Sequence, residues 1–188
     1  MEDSKITITT HSAEINFTWD ELRNEWFSIH YFSGWSGFNF ENRLPELKDG
    51  QAYLIVETYP GQKPSVKHIQ ALTWLLDQPD AASQIVLNAI YPEYPQRKNS
   101  LKDYFDDDLL NSLYPNLTSV YDLKKLLSLS RIHLYEESKG GLPYLGFDLE
   151  CNWDVEHGMQ VFINGPRIVQ AWAAGLNPAY IDKDGGKI

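Results

Sequence analysis

The sequence predicts an α+β protein with a largely antiparallel β-sheet, which is formed by N- and C-terminal strands and has a helical middle segment. Apolar residues alternate with polar ones through most of residues 1–62, which is typical of half-buried strands. Residues 63–128 instead place apolar side chains at helical spacing, and residues 129–175 return to alternation. Connections of hairpin length at both ends of the chain favour antiparallel pairing.

The chain is predicted to form a single domain over residues 1–188. Its length suits one hydrophobic core, and neither an internal repeat nor a low-complexity tract divides it. Within that domain, residues 1–62 are expected to be mostly β, 63–128 mostly helical and 129–175 to form β-hairpins. The polar residues 176–188 are expected to form a loose tail.

The N-terminal strands follow from period-two alternation and from turn residues between the strands. Residues 20–25 could instead form a short helix. Residues 34–40 could start a further strand after a glycine turn. Strands are predicted over 5–10, 14–19, 26–33 and 51–59.

In the middle of the chain, Ser65 is a candidate N-cap for a helix that stops near Pro79. A second helix is expected from residue 80 to the prolines of Y-P-E-Y-P, which cannot continue it. Residues 101–113 carry a leucine and phenylalanine stripe and predict a third helix. Ser119 then opens a short helix in which Asp122 completes a capping box.

The last third of the chain predicts hairpins. Lys139-Gly140-Gly141 and Asn164-Gly165-Pro166 are turn signals between alternating segments. Leu145, Phe147 and Leu149 share one face of their strand, and Cys151 follows them in register. Strands are predicted over 131–136, 144–151, 159–163 and 168–172.

Composition excludes several classes of function. The formal net charge is -10, from 26 acidic and 16 basic residues, which disfavours nucleic-acid binding because that requires clustered Lys and Arg. No apolar run approaches the length of a membrane span, and the N-terminus does not resemble a signal peptide. A single cysteine rules out an intramolecular disulfide. We therefore expect a cytoplasmic protein with no nucleic-acid or membrane partner.

The octet Cys151-Asn-Trp-Asp-Val-Glu-His-Gly158 is the densest cluster of chemically capable residues. A metal site is conceivable, yet no second Cys–His or His–His pair lies nearby and H-E-x-x-H is absent. A metal-dependent or acid–base hydrolase using Asp154, Glu156 and His157 is the enzymatic alternative. Cys151 is a poor nucleophile candidate because its strand points it into the core. We assign no catalytic, cofactor-binding or metal residue.

The structural interpretation of the octet requires no cofactor. Asp154 can accept backbone N–H groups, Gly158 can take a positive φ, and Trp153 can cover the end of a hairpin. His157 could bridge a backbone carbonyl to a carboxylate.

An acidic stretch, D-Y-F-D-D-D-L-L at residues 103–110, is the second candidate. A solvated helix face is the simpler interpretation. The functional alternative is a docking surface for a basic partner, with Tyr104 as an aromatic anchor and Asp106, Asp107 and Asp108 as charged contacts. The aromatic residues 26–38 are a third candidate, because Trp26, Tyr31 and Trp35 cannot all be buried on one face.

The stretch from Pro64 to Gly175 resembles an uncharacterised bacterial domain family that is found among candidate immunity proteins of polymorphic toxin systems. The likeness includes the helix residues Pro64, Ser65, Gln70, Ala71 and Leu72, the Y-P-N-L segment at 114–117, and a signature that reads C-x-W-D-x-E-H-G. The signature positions are Gly146, Cys151, Trp153, Asp154, Glu156, His157, Gly158 and Arg167. The first sixty residues match loosely, and Trp172 is bulky where the family has small residues.

Because that family has no established reaction, the resemblance implies a fold and a genomic neighbourhood. Together with the charge, it favours a non-enzymatic cytoplasmic binding protein, such as an immunity-like protein that neutralises a basic toxin domain through an acidic surface. The hydrolase and a regulatory or scaffold domain remain the alternatives.

Overall fold

A computed structural model describes residues 5–40, 44–59, 62–173 and 179–186. Its centre is one eight-stranded sheet whose spatial order, β1 to β8, is the same as the order along the chain. The strands are β1 (Lys5–Thr9), β2 (Glu14–Asp20), β3 (Glu25–Tyr31), β4 (Gln51–Glu57), β5 (Leu127–Lys139), β6 (Leu142–Cys151), β7 (Asp154–Asn164) and β8 (Arg167–Ala173).

Every neighbouring pair is antiparallel except β4 and β5, which run parallel with Leu54 opposite Ile132. The sheet therefore consists of two four-stranded meanders joined at one parallel pair. A parallel connection requires a long crossover, and the helical middle of the chain supplies it. The α+β class and the mostly antiparallel sheet are confirmed. The strands are not restricted to the two ends of the chain, however, since β5 begins within the segment expected to be helical.

Five helices accompany the sheet in the described residues. Four lie in the crossover and one follows the last strand. They are α1 (Val66–Asp77), α2 (Pro79–Ile90), α3 (Tyr94–Ser100), α4 (Asp107–Leu113) and α5 (Ala179–Asp184). Two 3-10 segments, Ser33–Trp35 and Val120–Lys125, complete the fold.

The main core lies between the sheet and the crossover helices. Helix α1 buries Ala71, Leu72 and Leu75 and packs on β5 and β6. Trp35 is fully buried and stacks on Phe147 of β6, with ring centroids 5.4 Å apart. Alternation along β6 places Phe147 on the covered face, as the sequence predicts.

The predicted N-cap at Ser65 is confirmed. Its backbone N–H donates to Nδ1 of His68 over 3.1 Å, so that an imidazole occupies the position of the usual acid in a capping box. The capping box of Ser119 and Asp122 is also present, and the carboxylate accepts the Ser119 N–H over 2.9 Å.

Two alternatives that the sequence left open are not adopted. Residues 21–24 form a turn rather than a helix, because Asp20 accepts the backbone N–H groups of Leu22 and Arg23. Residues 34–40 do not form a strand. A 3-10 segment there packs Gly34 closely against the start of α2. An added Cβ at Gly34 would lie 2.5 Å from the carbonyl oxygen of Pro79.

The predicted helix over 101–113 is divided. Residues 101–104 form a turn, and α4 starts after Asp106, which has extended backbone geometry and accepts the Leu109 N–H over 2.8 Å. Aspartate is a strong N-cap residue, so this side chain starts a new helix rather than continuing the previous turn.

The segment after Pro178, expected to be loose, contains α5. Ile181 is fully buried and forms a second, small core with Tyr144 and Phe162. Arg167 forms an ion pair with Asp184, which also accepts a hydrogen bond from the Tyr144 hydroxyl over 2.6 Å. These contacts fix the helix to β6, β7 and β8. The Arg167 guanidinium holds the pKa of the Asp184 carboxyl well below its usual range.

Candidate interaction site

The octet forms the closed end of the hairpin between β6 and β7. Cys151 is paired with Asp154, so Asn152 and Trp153 are the two turn residues. The next pair is Leu149 with Met159. Residues 155–158 of β7 therefore lie opposite the single residue 150, and the strand bulges outward at this point.

Local hydrogen bonds stabilise the bulge. Oδ1 of Asp154 accepts the backbone N–H of His157 over 3.0 Å and lies 3.1 Å from Nδ1 of the same residue. Gly158 has a φ of +65°, and an added Cβ would lie 2.4 Å from the carbonyl oxygen of Leu149. The predicted backbone contact of Asp154 and the positive φ of Gly158 are both confirmed. The carboxylate of Asp154 is the partner of the His157 imidazole.

Cys151 lies in the core, as the strand alternation predicts. It is fully buried, and its thiol donates to the carbonyl oxygen of Asp154 over 3.6 Å. Burial raises the pKa of the thiol to about 12, so it stays protonated near neutral pH. The His157 side chain, in contrast, is 72% exposed. Glu156 and Val155 are also exposed, so the octet has a buried end and a solvated end.

Trp153 covers the hairpin end by packing among aromatic rings from three other parts of the chain. Its ring centroid lies 5.6 Å from that of Tyr114, 5.4 Å from Tyr94 and 5.2 Å from Trp172. The guanidinium of Arg97 lies over the Trp172 ring, 4.4 Å from its centroid. Trp172 is thus a member of this cluster.

Asn152 connects the octet to the acidic stretch. Its Nδ2 donates to the carbonyl oxygens of Ser112 and Leu113 at the C-terminal end of α4. These carbonyls lack partners within the helix, because the last turn of any helix leaves its acceptors free. The hairpin end and α4 therefore form one packed unit, together with the aromatic cluster around Trp153.

The acidic stretch itself lies on the surface. The side chains of Asp103, Asp106, Asp107 and Asp108 are exposed, and only Leu110 of this stretch is buried. Tyr104 is 79% exposed and Leu109 is 44% exposed. Phe105 is also partly accessible. The surface therefore combines exposed apolar side chains with four carboxylates, and we call residues 103–109 the acidic surface.

The N-terminal aromatic residues are mostly core. Trp26, Phe32, Trp35 and Phe38 are buried, whereas Tyr31 is 54% exposed. Trp26 also donates from Nε1 to the carbonyl oxygen of Gln62 over 2.9 Å. Sequence alternation predicts that these rings separate onto two faces, and Tyr31 is the one that faces solvent.

An ionic cluster around the buried His133, on the face of the sheet opposite Phe147, was not anticipated from the sequence. Nε2 of His133 on β5 lies 3.2 Å from Oδ2 of Asp148 on β6, and Nδ1 lies 3.7 Å from Oε1 of Glu57 on β4. Arg131 lies 3.8 Å from the same oxygen of Asp148. Burial alone would lower the pKa of His133, but the two carboxylates outweigh it and raise the pKa to about 9.

A signal for this cluster exists in the sequence. An uninterrupted hairpin from the turn at Gly140 and Gly141 would place His133 directly opposite Asp148. In the structure an irregularity in β5 between Leu134 and Ser138 shifts the pairing by two residues, to His133 with Gly146. A shift of two keeps both polar side chains on the same face, so they still meet diagonally.

Across residues 5–40, 44–59, 62–173 and 179–186, no group of three or more His, Cys, Asp or Glu side chains has a geometry that could hold a metal ion. In the same ranges, no helix has both the length and the apolar character of a membrane crossing.

The fold and this site define an α+β domain with a mixed eight-stranded sheet, in which the β6–β7 hairpin packs on a short acidic helix. The chain belongs to the family described as domain of unknown function DUF6985, whose model matches residues 23–174. The match includes every residue of the octet and also β3 and β4, so it begins well before Pro64, where the resemblance was placed. Neither a curated protein nor a solved structure matches the chain.

Proposed function

We propose that this chain is a non-enzymatic binding protein that captures a basic protein partner through the acidic surface. The observation that carries the proposal is the exposure of Tyr104 and Leu109 among the carboxylates of Asp106, Asp107 and Asp108. Exposed aromatic side chains are favoured as anchors at protein interfaces. Here the anchor lies beside charges that attract lysine and arginine.

The partner class follows from charge and from the resemblance. A chain with a net charge of -10 attracts basic proteins and repels polyanions. The resemblance to immunity proteins of polymorphic toxin systems suggests that the basic partner is a toxin domain. In this mechanism, the carboxylates accelerate encounter and pair with Lys and Arg around the toxin's active cleft, and Tyr104 fills a pocket beside them.

Attachment of α4 at both of its ends supports the same proposal. Asp106 caps α4 at its first turn, and Asn152 holds its last turn. A preorganised surface loses less conformational entropy on binding than a mobile one. On this account the family signature stabilises the hairpin that holds α4, while α4 provides the contacts.

Co-expression tests the proposal. The chain is expressed with the protein encoded by the neighbouring gene, and both toxicity rescue and co-purification are measured. Rescue together with a stable complex supports the proposal. A neighbouring gene without toxin-like activity, or a toxin that the chain neither binds nor neutralises, would contradict it.

A further inference from the structure

A cleft lies where the parallel strands β4 and β5 end, beside the start of α1. Ligands of α/β sheets commonly bind outside the carboxyl ends of parallel strands, close to a helix N-terminus. The cleft consists of two adjoining cavities of about 500 and about 230 Å³. Both are lined by Glu57, Tyr59, His68 and Glu136. Their combined size suits a small organic molecule.

The inner cavity is acidic and aromatic. Glu136 and Glu137 line it with Tyr59 and Tyr135. His133 also reaches it and is nine-tenths buried, and its Nδ1 has no hydrogen-bond partner among the described residues. Asp148 and Glu57 balance the charge of this imidazole. Glu136 and Glu137 are therefore the carboxylates that can meet a cation of the ligand.

The outer cavity adds two basic residues to the acids that it shares with the inner one. Arg23 and Lys63 line it, together with Asn24 and Gln62. The Arg23 guanidinium also lies 3.8 Å from Asp20 and 3.7 Å from Glu25, so Lys63 is the main positive charge offered to a ligand here. His68 contributes a donor between the two cavities. Because its Nδ1 accepts the Ser65 N–H, the neutral ring carries its proton on Nε2. Burial lowers the pKa of His68, which favours this neutral form.

We propose that this cleft binds a small zwitterion with a basic side chain. The ammonium or guanidinium group lies against Glu136 and Glu137 in the inner cavity, and the carboxylate lies at Arg23 and Lys63. The tyrosine rings add cation–π attraction to the buried cationic end. A guanidinium pairs well with carboxylates because its donors match their oxygens. This inference is independent of the proposed partner, since the acidic surface contributes no residue to the cleft.

Calorimetric titration of the full chain tests the charge requirements with three related probes. L-arginine carries both charges, agmatine lacks the carboxylate, and L-citrulline lacks the side-chain cation. We expect L-arginine to bind at least tenfold more tightly than either of the others. No binding of L-arginine, or equal binding of all three, would overturn the proposal.

Two variants test whether L-arginine binds in this cleft. Glu136→Gln with Glu137→Gln should weaken L-arginine and agmatine binding by tenfold or more, since it removes the charges that face the cation. Lys63→Ala should weaken L-arginine binding and leave agmatine unchanged. Lys102→Ala removes an exposed lysine elsewhere and serves as the control. L-arginine binding that is unaffected by the cleft variants, in proteins with an unchanged melting temperature, would contradict the assignment.

Discussion

The Asn152 side chain spans from the turn of the β6–β7 hairpin to Leu113 at the end of α4. Its Nδ2 lies 2.9 Å from the Leu113 carbonyl oxygen and 2.8 Å from that of Ser112. One amide group thus satisfies two carbonyls at a helix end, where acceptors otherwise need water. The backbone N–H of Asn152 also donates to the carbonyl oxygen of Leu126, so the hairpin turn is bound to two parts of the crossover.

Replacing Asn152 by alanine should loosen α4. The change removes both hydrogen bonds, and we expect the free energy of unfolding to fall by about 1–3 kcal/mol. Hydrogen exchange of residues 107–114 should accelerate more than that of β5 or β6. Asn88→Ala, which removes an exposed amide on α2, is the control and should change stability by less than about 0.5 kcal/mol. Unchanged exchange in α4 would show that Asn152 does not hold the helix.

Gly158 should tolerate no side chain, because it combines a positive φ with a close backbone contact. Gly158→Ala would place Cβ against the Leu149 carbonyl oxygen, so a loss of more than about 2 kcal/mol is expected. Gly140 provides a matched control, since its φ is +60° and an added Cβ meets nothing within 4 Å. Gly140→Ala should cost about 1 kcal/mol, from backbone strain alone. Equal losses in chemical denaturation would show that the contact with Leu149 is unimportant.

The sheet strands can be predicted well from the sequence, because a strand with one buried face shows alternating apolar and polar residues. The strands over 5–10, 14–19 and 51–59 correspond closely to β1, β2 and β4. The parallel pairing of β4 with β5 could not be predicted, since a strand's apolar pattern does not identify its neighbour. The start of α4 was also missed, although the N-caps at Ser65 and Ser119 were predicted. From the sequence alone, Asp106 could lie inside a long helix or form the N-cap of a new one. Its extended backbone geometry shows that it is the N-cap of α4.

The polar side chains of the octet should contribute to the stability of the fold, so replacing them should lower the free energy of unfolding. Asp154→Ala eliminates the acceptor for the His157 N–H, and we expect a loss of about 1 kcal/mol. His157→Ala should cost less, because the ring is largely exposed. Thermal denaturation measures both changes.

The hydrolase alternative makes the opposite prediction for the same variants. Elemental analysis and assays with phosphodiester and ester substrates distinguish the two accounts. A stoichiometric metal or a turnover that is lost in His157→Ala at unchanged stability would favour the hydrolase and contradict the structural role.

Stability should depend on pH through His133. Its pKa in the folded protein is about 9, above the usual value near 6.5. The contacts of His133 with Asp148 and Glu57 therefore make their full contribution to the stability of the folded protein below pH 6.5. That contribution is lost as pH rises through 9, and the free energy of unfolding should fall by on the order of 2–3 kcal/mol. The groups facing the imidazole are Asp148, Glu57 and Tyr135.

The His133→Gln variant isolates this effect. Urea denaturation from pH 6 to pH 9.5 should show a smaller decline in the variant than in the unsubstituted protein. Parallel curves for the variant and the unsubstituted protein would mean that His133 gains no stabilisation from its carboxylates.

In the candidate site, the local contacts could be predicted from the sequence and the long-range contacts could not. Spacing within the octet predicts the Asp154 hydrogen bond and the positive φ of Gly158, because both are local. The contacts of Asn152 with α4, and of Trp153 with Tyr94 and Trp172, join residues far apart in the chain. Such contacts depend on the path of the crossover, which no local pattern specifies.

The most direct test of the central claim is the affinity of the chain for the neighbouring gene's product as a function of salt. The test variant combines Tyr104→Ala, Asp107→Asn and Asp108→Asn and retains the cap at Asp106. Its control is Glu14→Gln with Glu21→Gln, which makes the same charge change at exposed positions on and beside β2. We predict that the unsubstituted protein and the control bind with an affinity that falls as salt rises, and that the test variant binds at least tenfold more weakly. Equal affinity in the test variant and the control would contradict the claim that the acidic surface captures the partner.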